Sequence, residues 1–289
     1  MVDQRGPYGK ILVTGAAGRI GTAFRHHVAD RYALRLADRA HIPLDVVARS
    51  GDETILLDVA DPDAYQAACT GIDTVLHLAA DASPAADFYG SLLENNIKGT
   101  YNIFCAAKDQ GCRRVVLASS VQVALSMPSD MQISAGTPTR PGNMYGVSKC
   151  IGKALAGYFA DAEGLSSIAM RIGYFADPDN LRGAELGQLS AVVSPRDLCD
   201  LLVRCIETPG IRFAIVRGMS DNRHKRLDTA ATRELLGYQT QDDAFVLAGI
   251  PLPEQRPTGS CATHAVAELA LIALRWLASG AVGPRGTGW

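Results

Sequence analysis

Val13-Thr14-Gly15-Ala16-Ala17-Gly18-Arg19-Ile20-Gly21 stands where an apolar run, Lys10 to Thr14, gives way to a helical pattern from about Arg19 to Asp30. Glycines at 15, 18 and 21 permit a tight turn, close approach of backbone to a pyrophosphate, and packing of the helix on the strand. The first turn of the helix then turns unpaired N–H groups and the positive end of its dipole toward the phosphates. Gly15, Ala17, Gly18, Arg19 and Ile20 are the residues expected to line that loop. Asp38 closes the second apolar run about 20 residues further on, where a carboxylate accepts hydrogen bonds from the adenosine ribose. A negative charge there repels a ribose phosphate, so NAD is expected rather than NADP, while the adjacent Arg39 is the residue type that receives such a phosphate.

Outward from this point the chain alternates short apolar runs with helical stretches, the pattern of a parallel sheet covered on both faces. Further runs fall at Ala33–Ala37, Thr54–Leu57, Thr74–Leu78, Arg114–Ala118 and Ser167–Ile172, with helices expected over Phe88–Gln110 and Met144–Ala160. The fold class is therefore α/β, a Rossmann-type doubly wound sheet. After Tyr174 the rhythm loosens through the turn-forming Asp177-Pro178-Asp179-Asn180. A helix at Arg196–Glu207, a strand at Arg212–Val216 and a helix near Asp228–Leu236 come next. Residues 1–175 are read as the dinucleotide-binding core and 176–289 as a smaller, continuous substrate-capping lobe.

Met144-Tyr145-Gly146-Val147-Ser148-Lys149 places Tyr145 and Lys149 four residues apart, on one face of the expected helix. A phenol titrates near 10 and is a poor base at neutral pH unless its anion is stabilised. An ammonium alongside and a nicotinamide cation would both favour the ionised form. Ser120, at the end of the fifth strand, is placed to hold and orient a substrate oxygen. The spacing thus predicts a catalytic set of Ser120, Tyr145 and Lys149, moving a proton and a hydride.

With these residues in place, the chain resembles the extended short-chain dehydrogenase/reductase family, also called the NAD-dependent epimerase/dehydratase family. The resemblance runs over roughly residues 10 to 240 and rests on ordered motifs. They are Thr14–Gly21, Asp58-Val59, His77-Leu78-Ala79-Ala80, Asn96-Ile97-Lys98-Gly99-Thr100, Ser119-Ser120 and Tyr145–Lys149. It implies that Asp58 and Val59 lie at the adenine, that Leu78, Ala79 and Ala80 line the cofactor, and that Asn96 supports the active site. It further implies that Lys149 also holds the nicotinamide ribose and that Ile172 borders the nicotinamide. Within the family the chain is most similar to the uronate dehydrogenase branch, where an Arg at the position of Arg182 pairs with the sugar carboxylate.

Several pocket positions depart from that branch. Val121-Gln122 replaces Asn-His after the serine, Ala82 replaces a serine with Ser83 beside it, and Tyr174 replaces another. Sites that read hydroxyl groups discriminate strongly, because an unpaired buried polar group is costly. The resemblance therefore implies retained chemistry on a different sugar or sugar acid, a sulfonated sugar included, with Ser83, Ser120, Gln122, Tyr145, Tyr174 and Arg182 as substrate contacts. Two rival readings use the same motifs: a nucleotide-sugar epimerase or dehydratase that keeps its NAD, and a non-catalytic NAD sensor.

Bulk properties narrow the classes. The chain is 47% hydrophobic and 20% charged, with a net charge of −2 and a pI near 6.3, so neither nucleic acid nor an anionic membrane is an expected partner. Seven cysteines with no Cys-x-x-Cys, and six dispersed histidines, suggest neither a disulfide framework nor a metal site. Met1 to Gly9 is polar and short, so a cytoplasmic location is expected. Residues 261–282 read as an amphipathic helix with His264, Glu268 and Arg275 on one face, docked on the domain or on a second subunit rather than crossing a membrane. A symmetric homo-oligomer is the expected assembly.

Overall fold

The computed structural model describes residues 8–42 and 52–250; the expected helix at 261–282 lies outside them. Seven parallel strands form the central sheet: β1 (Ile11–Thr14), β2 (Leu34–Asp38), β3 (Glu53–Leu56), β4 (Thr74–His77), β5 (Arg114–Ser120), β6 (Ser166–Ile172) and β9 (Phe213–Gly218). Their spatial order is β3-β2-β1-β4-β5-β6-β9. The winding reverses between β1 and β4, which opens a crevice at the carboxyl ends of those strands. β1, β4 and β5 are buried along their whole length, as strands covered on both faces must be.

Alternate residues of each strand feed two cores. On one face Ile11, Val13, Leu34 and Met170 pack with Phe24 and Val28 of α1 (Arg19–Val28) and with Leu198 and Leu202 of α6 (Pro195–Glu207). On the other, Leu12, Val75, Leu117 and Ala169 pack against α2 (Pro62–Cys69), α3 (Gly99–Asp109) and α4 (Met144–Asp161). α2 is not among the helices expected from periodicity, yet its start carries a clear local signal. Asp61 accepts from the N–H groups of Asp63 and Ala64, with Pro62 in the first helical position.

Two expectations are corrected. The helix expected over Phe88–Gln110 is two segments, a wide π-type winding over Phe88–Lys98 followed by α3. The junction falls at Gly99, where a Cβ would sit 3.0 Å from the Val59 side chain. The strand expected inside a capping lobe, β9, pairs instead with β6 in the main sheet, Arg217 opposite Arg171 and Gly218 opposite Ile172. α6 likewise belongs to the core under α1, so the sheet and its covering helices continue well past position 175.

A small cap rests on this core, with β7 (Tyr174–Phe175), α5 (Leu186–Leu189), β8 (Val192–Val193) and α8 (Ala244–Leu247), while α7 (Ala230–Leu236) packs Leu236 into the main core. Ala176, Leu181, Leu189, Val192, Ala244 and Phe245 form the cap's own apolar cluster. Asp197, inside α6, accepts from the N–H groups of Gln241 at 2.8 Å and Asp242 at 3.2 Å and so ties the cap to the core.

Arg114 fastens the other end of α6. Its buried guanidinium donates to the carbonyls of Cys205 at 2.7 Å and Thr208 at 2.8 Å, closing a helix end whose carbonyls lack partners of their own. Arg114→Met should therefore cost about 2–3 kcal/mol, because several buried carbonyls lose their donors, and urea unfolding measures it directly.

Candidate active site

The crevice has a volume of about 660 Å³ and is lined by Thr14, Gly15, Gly18, Asp38, Asp58 and Leu78, among others. Gly15 has φ +70°, and a Cβ there would lie 2.7 Å from the backbone nitrogen of Ala79. Only glycine allows the loop to lie so close to the end of β4. α1 begins at Gly18, which supplies no side-chain cap, and no acidic residue sits in its first turn. Its leading N–H groups and dipole are therefore left for an anion. Asp38 Oδ2 accepts from Ala17 N at 3.0 Å and Oδ1 from Ala40 N at 2.9 Å, which holds the carboxylate at the rim with lone pairs to spare. Val59, Ala79, Ala80 and Arg39 complete the lining. A cradle that a Cβ would fill, an uncapped helix start and a fixed carboxylate fit a dinucleotide.

Thr14 and His77 secure this floor. Thr14 Oγ1 lies 2.8 Å from His77 Nδ1 and accepts from Ala79 N at 3.3 Å. Burial holds the His77 imidazole neutral, pushing its pKa down to about 3. The ring is therefore a polar stitch between β1 and β4 and takes no part in proton transfer at neutral pH.

Ser120, Tyr145 and Lys149 meet at the end of β5. Asn143 caps α4 by accepting from Gly146 N at 2.8 Å, while its Nδ2 donates to Gln122 Oε1 at 3.0 Å. Gln122 N in turn donates to Ser120 Oγ at 3.1 Å. That leaves the Ser120 hydroxyl on the side of Tyr145, whose pKa it pulls down. Lys149 is buried, donates to Ala118 O at 2.9 Å, and lies 5.5 Å from the centre of the Tyr145 ring. Asn96, in the π-type segment, fixes α4 from behind. It donates to Ser148 Oγ at 3.0 Å and to Asp81 O at 2.9 Å, and accepts from Asp81 N at 2.8 Å. Ser148 passes the restraint on by donating to Tyr145 O at 2.7 Å. Wide turns of this kind recur where a helix must offer an unusual side chain or carbonyl to a site.

The expected electrostatics need correction. Tyr145 does not have a lowered pKa in the protein alone: burial raises it, the Ser120 hydroxyl pulls it down, and the nearby Asp81 carboxylate raises it again. Lys149 is itself weakened by burial, to about 8. Its ammonium is directed at the Ala118 carbonyl, and burial remains the largest influence on the phenol.

The other sequence-predicted positions are spread around this centre. Asp58 accepts from Ala60 N at 2.9 Å and sits on the crevice wall with Val59. Ile172 is buried at the end of β6, beside Ser120 in register. Ser83 lies on an exposed loop, with its hydroxyl accepting from Ala85 N at 3.2 Å. Tyr174 is 42% exposed. Arg182 is exposed and makes no ion pair or hydrogen bond among the described residues. No described contact links these three to the phenol. Arg19, expected on the cofactor, reaches across the crevice mouth: it donates to Phe175 O at 2.9 Å, stacks on the Phe175 ring at 5.3 Å and lies 3.8 Å from Asp177. Sequence reasoning missed a polar chain on the crevice wall, in which Asn95 donates to Ser91 Oγ at 3.1 Å and Ser91 to Asp81 Oδ2 at 2.5 Å. It also missed Asn143, although a lone Asn directly before a helical pattern is a standard cap signal. Among the described residues there is no group of three His, Cys, Asp or Glu side chains able to hold a metal ion, and no helix long and apolar enough to cross a membrane.

A dinucleotide crevice opening beside a buried serine–tyrosine–lysine set defines a Rossmann-type oxidoreductase. Residues 11–193 match the NAD dependent epimerase/dehydratase family, and the chain belongs to it. It is 35% identical to an NAD-dependent glucose-6-phosphate dehydrogenase of Haloferax volcanii, across 84% of this chain and 98% of that one. It is 34% identical to a uronate dehydrogenase of Pseudomonas putida, across 82% and 86%. Among solved structures, a uronate dehydrogenase variant from Agrobacterium tumefaciens complexed with NAD superposes with a TM-score of 0.75 at 30% identity, covering 86% of this chain and 92% of that one. The protein is an NAD-dependent oxidoreductase.

Burial of Lys149 makes stability depend on pH in a definite direction. Its folded pKa, about 8, lies below the ordinary 10.5, so below pH 8 the folded state bears the full cost of the buried charge. Between 8 and 10.5 the unfolded chain holds more protons, and that cost is relieved as pH rises. Lys149→Met should accordingly raise stability by about 2–3 kcal/mol at pH 7, with the gain shrinking toward pH 10.5 in denaturant titrations across that range.

Proposed function

We propose that this enzyme oxidises the anomeric carbon of a sugar or sugar acid to a lactone, with Tyr145 as base, Ser120 as the holder of the reacting oxygen and Lys149 as the support of both. The observation that carries the reading is the buried Lys149 ammonium, hydrogen-bonded to Ala118 O at the carboxyl end of β5 and 5.5 Å from the Tyr145 ring, with Ser120 closing the same strand end. Bound NAD supplies the hydride acceptor, and Gly15, Gly18 and Asp38 are the residues that would hold its pyrophosphate and ribose.

Each side chain has a defined task. Ser120 receives an N–H from Gln122 and can therefore donate its own proton to the substrate hydroxyl oxygen, fixing the C–H bond toward the crevice. Tyr145 takes the hydroxyl proton as the carbonyl forms. Its raised pKa in the protein alone means that the phenolate is scarce until a further positive charge stands nearby, which ties proton removal to a loaded cofactor site. Lys149 anchors the base of the ring region through Ala118 and offers its ammonium to ribose hydroxyls. Asn96 and Ser148 hold the Tyr145 backbone at the required height. Arg182 is a free guanidinium suited to bidentate pairing with a carboxylate, phosphate or sulfonate on the sugar. The names of relatives include dehydrogenases of a sugar phosphate, a uronate and a neutral sugar, L-arabinose, so the preference for an anionic sugar rests on Arg182.

A panel of uronic acids, aldose phosphates, sulfonated sugars and neutral aldoses, followed by NADH absorbance, tests this reading. Turnover is expected with at least one anionic member, and Tyr145→Phe should lower kcat by about 100- to 10,000-fold on it. Arg182→Ala should raise KM for the anionic sugars while leaving neutral ones unchanged. Absence of turnover across the whole panel would overturn the assignment.

A further inference from the structure

Three neighbouring strands carry a row of buried polar side chains that proton and hydride transfer do not use. Ser119 of β5 lies opposite Arg171 of β6, and Arg171 opposite Arg217 of β9. Parallel strands in register turn such residues to one face, here the face of Leu117, Ala169 and Phe213 that packs under α4. All three are sealed from solvent, at 4%, 3% and 1% exposure. Yet Ser119 Oγ, Arg171 Nε and Nη1, and Arg217 Nε are buried with no hydrogen-bond partner, and neither guanidinium forms an ion pair among the described residues.

Such an arrangement is unfavourable as it stands. An Arg side chain stays charged inside a protein, and adjacent strands bring like charges within about 5 Å of side-chain spacing. Buried charges are normally paired. The titratable groups that face them are Cys150 of α4, near Arg171, and Asp228, near Arg217. Asp228 already accepts from Ala230 N, and one distant carboxylate cannot balance two guanidinium ions. Cys150 packs against an apolar cluster of Val123, Ala124, Ile133, Met219 and Leu227. The row is therefore rich in donors and deeply buried, with two guanidinium groups that can only donate beside one hydroxyl. A sugar or nucleotide cannot enter it, whereas a monatomic anion needs no particular donor geometry.

We propose that Ser119, Arg171 and Arg217 form a buried site for one compact inorganic anion of chloride or bromide size, which fastens the last strand, β9, to the rest of the sheet. The site is independent of the identity of the substrate. The test is thermal unfolding of the full chain in rising bromide, with ionic strength held constant by glutamate, which is not a sugar acid. The wild-type midpoint should rise by about 3 °C once bromide reaches ten times its dissociation constant. Arg217→Met should abolish that response, Ser119→Ala should weaken bromide binding several-fold, and Arg113→Gln, whose charge is met by Asp73, should keep the wild-type response. Crystals grown in bromide should show an anomalous peak in contact with the three side chains. An equal bromide response in Arg217→Met overturns the proposal. So does a water at that position without anomalous signal, a result that does not depend on any variant folding.

Discussion

The hydrogen bond from the buried Lys149 ammonium to the Ala118 carbonyl joins α4 to the end of β5, and the geometry of the site depends on it. A lysine stripped of water is tolerated only where a carbonyl and a second favourable interaction replace the lost solvation. Here Ala118 provides the first, and the second belongs to whatever occupies the crevice. Because Lys149 lies one helical turn beyond Tyr145, fixing its head fixes the height of the phenol over the strand end. Asn143 at the start of the helix and Asn96 behind it remove the remaining freedom, so the ring is held from three directions before any ligand arrives. Preorganisation of this kind moves the cost of ordering the site from the reaction to the folding of the chain.

The chemistry of the site is largely legible in the sequence because its signals are local. Gly15, Gly18 and Asp38 declare themselves by spacing, and Tyr145 and Lys149 by the pitch of a helix. Lateral placement is a different kind of information. Nothing in Phe213–Gly218 says that this strand pairs with β6 rather than forming part of a cap, since the pairing is decided by which apolar faces α6 can cover. The π-type winding before α3 is hidden for a similar reason: helical periodicity alone does not reveal one wide turn. Electrostatics is the least readable. A depressed Tyr145 pKa requires an ammonium beside an accessible phenol, whereas the depth of burial of both groups reverses the direction, and depth is a property of the packed chain.

The pocket departures at Val121, Gln122, Ala82 and Tyr174 acquire a physical meaning once the contacts are known. The Gln122 side-chain carbonyl is engaged by Asn143, which fixes the orientation of its amide and leaves both amide hydrogens and one lone pair open. Asp81 is drawn into a chain with Ser91 and Asn95, which puts a carboxylate on the crevice wall. Arg182, exposed and without a described partner, is not part of that wall.

Arg19 springs from the glycine loop yet gives one hydrogen bond, from Nη2, to the Phe175 carbonyl and its ring contact to Phe175 itself. Four of its five N–H donors are left over, so a single side chain tethers the segment entering the cap while keeping donors in reserve on the loop where α1 begins.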